Sequence, residues 1–150
     1  MTTMTASATQ VYSIFIRATA EQVWEAITNP EFTQKYFYGS RIESSFKAGE
    51  PYDGYSSDGA QHLVDGVVLE ADPPNKLVTT WRALYDAETA AEPHSRVTWE
   101  IAPAQEGVVQ LTVVHDDLGA APKTAAHVAG GWSWILSGLK STLETGTSLT

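Results

Sequence analysis

The C-terminal segment constrains the fold of this chain most strongly, because its apolar side chains recur at intervals of four, three and four residues. That spacing places them in one stripe along a helix, and Val128, Ile135 and Thr142 widen the stripe at one edge. Gly146 stands where a helix commonly ends, so we predict one helix over residues 122–145. The stripe consists of Trp132, Leu136, Leu139 and Leu143.

The wide apolar face of this helix must be buried against another element, and the chain from residue 40 onwards favours β-strands. Apolar side chains alternate there with a period of two, which is typical of strands with one buried face. A long helix laid over an antiparallel sheet readily keeps a pocket between the two layers. The strands are predicted at 40–46, 52–56, 62–71, 77–84, 96–102 and 108–115, with an irregular polar loop at 85–93.

Local signals predict the N-terminal elements. β-Branched and aromatic residues alternate over 11–17 and indicate an edge strand. Thr19 and Gln22 form a capping-box pattern that opens a helix, and Pro30 ends that helix because the residue before a proline avoids the helical region. A second short helix is predicted to end near Gly39, so the element order is β-α-α-β-β-β-β-β-β-α. This second helix carries Phe32, Tyr36 and Phe37.

Length and charge limit the function classes. The 150 residues predict a single domain over 11–146, between flexible tails at 1–10 and 147–150. Nine basic residues against 18 acidic ones give a net charge of −9. The basic residues are scattered, which argues against binding nucleic acid or an anionic membrane surface. No apolar run has the length of a membrane span, so we expect no membrane insertion.

The residue types that bind metals do not cluster in the sequence. The chain has no cysteine, which removes disulfides and thiolate ligands. Its four histidines show no pairing at metal-ligand spacing. We therefore expect no metal and no cofactor. Because the N-terminus also lacks the pattern of a secretion signal, we expect a cytoplasmic protein.

Four strings in a fixed order carry a resemblance to a known family. IFIRA at 14–18 leads into AEQVWEAI at 20–27, a strand followed by a helix with a buried Val-Trp pair. NPEF at 29–32 precedes the aromatic pair at 36–37. EADPPNKL at 70–77 leads to TW at 80–81, and VHDDLG at 114–119 precedes GW at 131–132 and the helix over 136–144. Together the strings cover nearly all of residues 11–146.

These strings resemble the Bet v 1/START-type helix-grip (SRPBCC) superfamily, and more narrowly the subgroup of the C-terminal domain of the Hsp90 ATPase activator. The resemblance implies an α+β fold, in which a curved antiparallel sheet of six to seven strands wraps around a long C-terminal helix. Two short helices would follow strand 1, and an apolar cavity would lie between sheet and helix. The superfamily includes lipid carriers, polyketide cyclases, ring-hydroxylase subunits, hormone receptors and chaperone-binding modules, so the fold alone does not choose a function.

Strand alternation and the helix stripe predict which side chains would line such a cavity. Large aromatic side chains with polar edges suit a flat organic ligand. The alternative is an ordinary packed core, because tryptophans at strand or helix spacing are commonly core residues. The predicted ligand-binding residues are Trp81, Trp99, Leu111, Val113, His115, Trp132, Leu136 and Leu139.

Two ionisable residues are candidates for chemistry. His115 ends an apolar strand and alternates with Leu111 and Val113, so it is predicted to point toward the helix. Its imidazole would orient a ligand or carry a proton, or it is a core histidine hydrogen-bonded by its neighbours. Asp65 shares one face of its strand with Leu63, Val67 and Leu69, opposite Val64 and Val68, and it has the same two interpretations as His115. If Asp65 met His115 across the cavity, the two would form an acid–base pair.

The sequence therefore leaves three functions open. We favour binding of a hydrophobic small molecule without catalysis. The second is a protein-interaction module of the Hsp90-activator type, with a chaperone as partner. We rank it lower because these residues include no additional N-terminal domain of the kind such an activator carries. The third is a cyclase- or hydrolase-like enzyme that uses His115 and Asp65. A homodimer is predicted through an aromatic surface formed by Phe32, Tyr36, Phe37 and Tyr38.

Overall fold

A computed structural model describes residues 8–149. Within this range the chain forms seven strands and five helices. The strands are β1 Gln10–Ile16, β2 Arg41–Ser44, β3 Pro51–Tyr55, β4 His62–Asp72, β5 Lys76–Ala83, β6 Ser95–Gln105 and β7 Val108–Asp116. The helices are α1 Ala20–Thr28, α2 Pro30–Tyr36, α3 Ala87–Ala90, α4 Pro122–Val128 and α5 Gly131–Thr145.

All seven strands join in one curved antiparallel sheet with the order β1-β7-β6-β5-β4-β3-β2. Strands β2 to β7 follow one another as neighbours, and β1 pairs with β7, so β1 and β2 are the two edges. Helix α5 contacts β1, α1 and α2. Its buried residues include most of the predicted stripe. The predicted helix-grip architecture is confirmed.

The predicted capping residues mark the start and end of the N-terminal helix α1. The Thr19 hydroxyl accepts a hydrogen bond from the Gln22 amide at 3.1 Å, and the Gln22 side chain accepts one from the Thr19 amide at 2.8 Å. Asn29 ends α1 and caps α2, because its side-chain oxygen accepts from the Glu31 amide at 2.9 Å. The buried Tyr36 hydroxyl donates to the Ala26 carbonyl at 2.7 Å and ties α2 to α1.

The prediction of one continuous helix over 122–145 is wrong. The backbone leaves the helical conformation at Ala129, and Gly130 adopts a left-handed φ of 85°, so α4 and α5 are separate helices. A left-handed backbone favours glycine because it has no Cβ. The Glu92 carboxylate accepts hydrogen bonds from the amides of Lys123 and Thr124 at 2.9 and 2.7 Å. This carboxylate caps the start of α4 and fixes it to the loop that precedes β6.

Two further expectations change in detail. The loop predicted as irregular over 85–93 contains the short helix α3, whose first amides bond to the Asp86 side chain. Of the tail predicted at 1–10, residues 1–7 lie outside the described residues, and Gln10 already belongs to β1. Thr147, in the predicted C-terminal tail, accepts a hydrogen bond from the Ser141 hydroxyl at 2.6 Å.

Alternating burial distinguishes the two faces of β4. Val64, Gly66 and Val68 are buried, whereas Val67 and Leu69 are exposed on the other face. A Cβ added at Gly66 would collide with the Thr80 carbonyl oxygen on β5, so only glycine fits. Asp65 lies between the buried Val64 and Gly66 in the alternation, so it is on the outer face of the sheet.

Candidate functional site

The described residues enclose an open pocket of about 400 Å³ at the junction of α4 and α5. The other walls come from the turn after α2, from the start of β4 and from the end of β5. Both α4 and α5 contribute to the wall of the pocket, because the helix is interrupted at Gly130. The pocket is lined by Phe37, Tyr38, Ser40, Leu63, Val64, Trp81, Tyr85, His127, Val128, Gly131, Trp132 and Ile135.

The pocket has an apolar floor and a polar rim. Phe37, Trp81 and Trp132 form the aromatic part of the floor, and each is nearly fully buried. At the rim, Tyr38 is 63% exposed and Tyr85 is 52% exposed. None of the described residues that line the pocket is Lys, Arg, Asp or Glu. An apolar floor with a few polar groups at the rim is typical of small-molecule sites.

One charged group lies next to the rim. The Asp86 carboxylate is 3.9 Å from Nε2 of His127, and the rings of His127 and Tyr85 lie 6.0 Å apart. Partial burial and the Asp86 carboxylate raise the pKa of Tyr85, so its hydroxyl stays protonated. The rim therefore presents the protonated Tyr85 hydroxyl and the His127 ring beside the Asp86 carboxylate.

Trp81 carries an unused hydrogen-bond donor. Its side chain is 5% exposed and lines the pocket. Its indole Nε1 has no hydrogen-bond partner among the described residues, and the same holds for the buried Thr79 hydroxyl. Buried donors are nearly always paired, because an unpaired one loses its bonds to water without replacement. The Trp81 ring lines the pocket, but its indole nitrogen is enclosed by protein atoms.

His115 is engaged at both ring nitrogens. The Trp132 indole N–H donates to Nδ1 at 3.0 Å, so Nδ1 is the acceptor and Nε2 carries the proton of the neutral ring. Nε2 lies 2.6 Å from the Ser95 hydroxyl, which itself donates to the Trp81 carbonyl oxygen at 3.0 Å. Every donor in this series has an acceptor, which joins α5 to β5, β6 and β7.

Burial keeps this imidazole neutral. His115 is fully buried, and burial lowers its pKa from 6.5 to about 4, although the neighbouring Asp116 opposes the change. The rings of Trp81 and Trp132 meet it edge-on at 5.3 and 5.9 Å. Of the two interpretations offered by the sequence, this geometry matches the core histidine.

The Asp65 side chain lies on the face of the sheet opposite to His115 and the pocket. Arg82 donates to both of its carboxylate oxygens, at 3.0 and 2.7 Å, and Nε2 of His94 lies 3.0 Å from one of them. Partial burial disfavours the ionised carboxyl, but Arg82 and His94 outweigh it and lower the pKa of Asp65. Asp65 and His115 therefore do not meet, and the acid–base pair that the sequence left open does not form.

The predicted ligand-binding residues fall into two groups. Trp81 and Trp132 line the pocket. The other six are at most 2% exposed and pack in the core instead; they are Trp99, Leu111, Val113, His115, Leu136 and Leu139. Sequence reasoning missed most of the lining, including Tyr38, Tyr85 and Val128. The usable signal was the Gly130–Gly131 pair, which marks the break that lets α4 contribute to the pocket.

Comparison with known families decides the relationship. A family model described as Activator of Hsp90 ATPase homolog 1-like protein matches residues 17–144. The chain belongs to this family. Membership confirms the resemblance to the Hsp90-activator subgroup of the helix-grip superfamily. A comparison with curated proteins found no match.

Solved structures with the same fold agree with this assignment. An HSP90 activator from Plasmodium falciparum is 20% identical, with 90% of this chain and 95% of that chain covered and a TM-score of 0.72. The Aha1 dimer from Colwellia psychrerythraea is 16% identical, with 92% and 97% covered and a TM-score of 0.71. DynU16, from the dynemicin biosynthetic locus, is 22% identical with a TM-score of 0.75. The match covers 95% of this chain and 49% of the DynU16 chain. These likenesses show the fold.

Proposed function

We propose that this member of the Hsp90-activator homologue family binds a small hydrophobic molecule in the pocket at the α4–α5 junction. The observation that carries the proposal is the open pocket of about 400 Å³ with an aromatic floor. Known ligand pockets range from about 300 to 1,000 Å³. Apolar surface removed from water contributes about 25 cal/mol for each Å² buried, so such a lining supports affinity without charged contacts.

The proposed role is binding without a reaction. The buried imidazole of His115 has both nitrogens engaged and does not line the pocket. Asp65 lies outside it. The groups left to orient a ligand are polar side chains of the lining that are suited to hydrogen bonds, namely those of Tyr38, Ser40, Tyr85 and His127.

Titration with prodan, a neutral flat fluorophore, tests the proposal. Its emission shifts to shorter wavelength when it leaves water, so binding should give a saturable blue shift. Val128 lines the pocket, and Val128→Trp should fill it and weaken the binding of prodan at least tenfold. Val11→Trp is the matched control, because Val11 is 60% exposed on the edge strand β1 and should leave binding unchanged. A saturable shift that is equal in both variants would place the probe elsewhere.

Family membership supports a second candidate function. The matched family is named for activation of the Hsp90 ATPase, and one structural relative is described as an HSP90 activator. In this role the chain would stimulate ATP hydrolysis by Hsp90 through its surface, independently of the pocket. The test is the ATPase rate of purified Hsp90 with a molar excess of this protein. A dose-dependent increase supports activation, and an unchanged rate at saturation contradicts it.

Self-association and location are further proposals. Tyr36 and Phe37 of the predicted aromatic surface lie in the core, while Tyr38 is exposed and Phe32 is half-buried under Lys35. The homodimer would therefore use Tyr38 and Phe32, and light scattering that shows a monomer at high concentration would contradict it.

Among residues 8–149 no helix is long and apolar enough to cross a membrane. We propose a cytoplasmic location, which cell fractionation tests.

A further inference from the structure

We propose that the ligand of the α4–α5 pocket is a hydrophobic amine, whose apolar body lies on the aromatic floor and whose ammonium group lies at the rim, against the Tyr85 ring and facing Asp86. This inference rests on the proposed binding function and specifies the chemical class of the ligand. It follows from the tyrosine rings at the rim, from a free carboxylate oxygen beside them and from the balance of charge around the pocket.

Two tyrosines place aromatic rings at the rim. Tyr38 follows α2 and Tyr85 follows β5, and both side chains are more than half exposed while they line the pocket. Burial, the Asp86 carboxylate and the Tyr38 hydroxyl raise the pKa of Tyr85, in that order, so both side chains act electrostatically on the Tyr85 hydroxyl. The negative face of an aromatic ring attracts a cation, and the attraction grows where water is partly excluded. An ammonium group at the rim therefore gains from contact with a tyrosine ring.

The Asp86 carboxylate has one oxygen free for a ligand. Its Oδ1 accepts hydrogen bonds from the amides of Glu88 and Thr89, at 2.8 and 3.3 Å. Its Oδ2 has no hydrogen-bond partner among residues 8–149, since Nε2 of His127 lies 3.9 Å away, beyond hydrogen-bond distance. The Asp86 side chain is 38% exposed, so a solute can reach it. An ammonium group has three N–H donors and no acceptor, and a carboxylate oxygen is a strong partner for it.

The balance of charge around the pocket favours a cation over an anion. Among the described residues that line the pocket, His127 is the one basic side chain. An imidazole ordinarily carries no charge at pH 8, so it neither repels an ammonium group nor neutralises Asp86 there. An anionic ligand would face Asp86 and would depend on His127 alone for a positive charge. The net charge of −9 on the whole chain also attracts cations to its surface.

Three naphthalene probes with nearly the same skeleton test the inference at pH 8, each measured by competition against prodan. They are 1-naphthylmethylamine, which is a cation, 1-naphthalenemethanol, which is neutral, and 1-naphthoate, which is an anion. We expect the amine to bind about tenfold more tightly than the alcohol, because it adds a cation–π contact and an ion pair. The naphthoate should bind more weakly than the alcohol. Equal affinity for the amine and the alcohol, or tightest binding of the naphthoate, would overturn the inference.

Asp86→Asn tests the carboxylate. Asparagine keeps a side-chain oxygen that can cap α3 but carries no charge, so the preference for the amine over the alcohol should fall to about threefold or less. Asp72→Asn is the matched control, because Asp72 is exposed at the far end of β4, about 30 Å along the strand from Leu63 in the pocket lining. Its charge is screened over that distance, so this variant should retain the preference. A full preference for the amine in Asp86→Asn would overturn the inference, and the ranking of the probes on the wild-type protein decides the question even if this variant does not fold.

Two substitutions of Tyr85 test the contact with the ring. Tyr85→Phe keeps the aromatic face and removes the hydroxyl, so it should retain most of the preference for the amine. Tyr85→Leu keeps an apolar side chain without a π-system, so the preference should fall by about threefold. An equal preference in the two variants would contradict the placement of the ammonium group against this ring.

The inference and the proposed function fail in different ways. If none of the three probes and no prodan binds, the pocket is not a binding site and the proposed function itself is refuted. If the probes bind and compete with prodan but the amine is not preferred, binding stands and the amine class is refuted.

Discussion

Acidification from pH 7 to pH 5 should destabilise the protein through a single buried residue, His115. Burial lowers the pKa of this imidazole from 6.5 in an exposed chain to about 4 in the folded protein. As the pH falls through 6.5, the unfolded chain binds a proton at this position and the folded protein does not. The proton therefore stabilises the unfolded state, and stability falls until the pH reaches about 4.

The size of this effect follows from the same two pKa values. Within the window, each pH unit changes the free energy of unfolding by about 1.4 kcal/mol, so the loss between pH 7 and pH 5 is about 2 kcal/mol. Carboxylates whose pKa is lowered by ion pairs, such as Asp65 and Asp116, lose their contribution only as the pH falls through and below their ordinary value of 3.8. His62, His94 and His127, which each lie near a carboxylate, are common to the wild type and a His115 variant, so the difference between the two proteins from pH 7 to pH 5 reports on His115.

Urea unfolding of the wild-type protein and of His115→Gln at pH 7, 6 and 5 measures the effect. The variant should be less stable at pH 7 by about 1–3 kcal/mol, because the Trp132 indole N–H and the Ser95 hydroxyl lose their fitted partner. Its stability should then change little down to pH 5, whereas that of the wild type should fall. Parallel pH dependence in the two proteins would refute the assignment of a buried neutral imidazole.

Three further predictions follow from packing and charge. Trp132→Ala should destabilise the protein by about 3–5 kcal/mol, because the ring packs between Phe37 and Trp99 in the core; a change below about 1 kcal/mol in chemical denaturation would contradict this packing. Gly66→Ala should lower the melting temperature sharply, since its Cβ would collide with the Thr80 carbonyl, whereas Gly119→Ala has open space and should be nearly neutral; equal melting temperatures would contradict the close approach. With a net charge of −9, the protein should not retain duplex DNA at moderate salt, and submicromolar binding that weakens steeply with added salt would contradict this.

Most helices and strands, and most of their buried faces, could be predicted, because the spacing of apolar residues in the sequence follows their burial in the structure. Trp81, Trp99 and His115 were placed on the inner face by alternation, and all three are buried. The period of two does not say which face of a strand is inside when both carry apolar residues. On β4, Val64 and Val67 belong to opposite faces and are equally apolar, so the position of Asp65 could not be decided. The burial of Val64 and Val68 in the core decides it, and that packing involves other elements.

The pocket was only partly predictable, because it depends on how separate elements meet. The sequence placed a cavity along the whole of the C-terminal helix, yet Leu136 and Leu139 pack tightly against the sheet. The opening lies at the N-terminal end of α5, where the left-handed Gly130 redirects the chain and brings Val128 to the pocket wall. Tyr38 lies at the rim because the turn after α2 holds it in a left-handed conformation with φ of 52°. Neither feature follows from local periodicity.

The most direct test of ligand binding at this pocket follows the five tryptophan indole N–H resonances of the isotope-labelled protein during titration with prodan. Trp81→Phe and Trp99→Phe assign two of the signals. We expect the resonances of Trp81 and Trp132, whose rings line the pocket, to shift saturably, with no change at the exposed Trp134. If the Trp81 and Trp132 resonances stay in place while prodan binds, or if Trp134 responds instead, the pocket at the α4–α5 junction is not the ligand site.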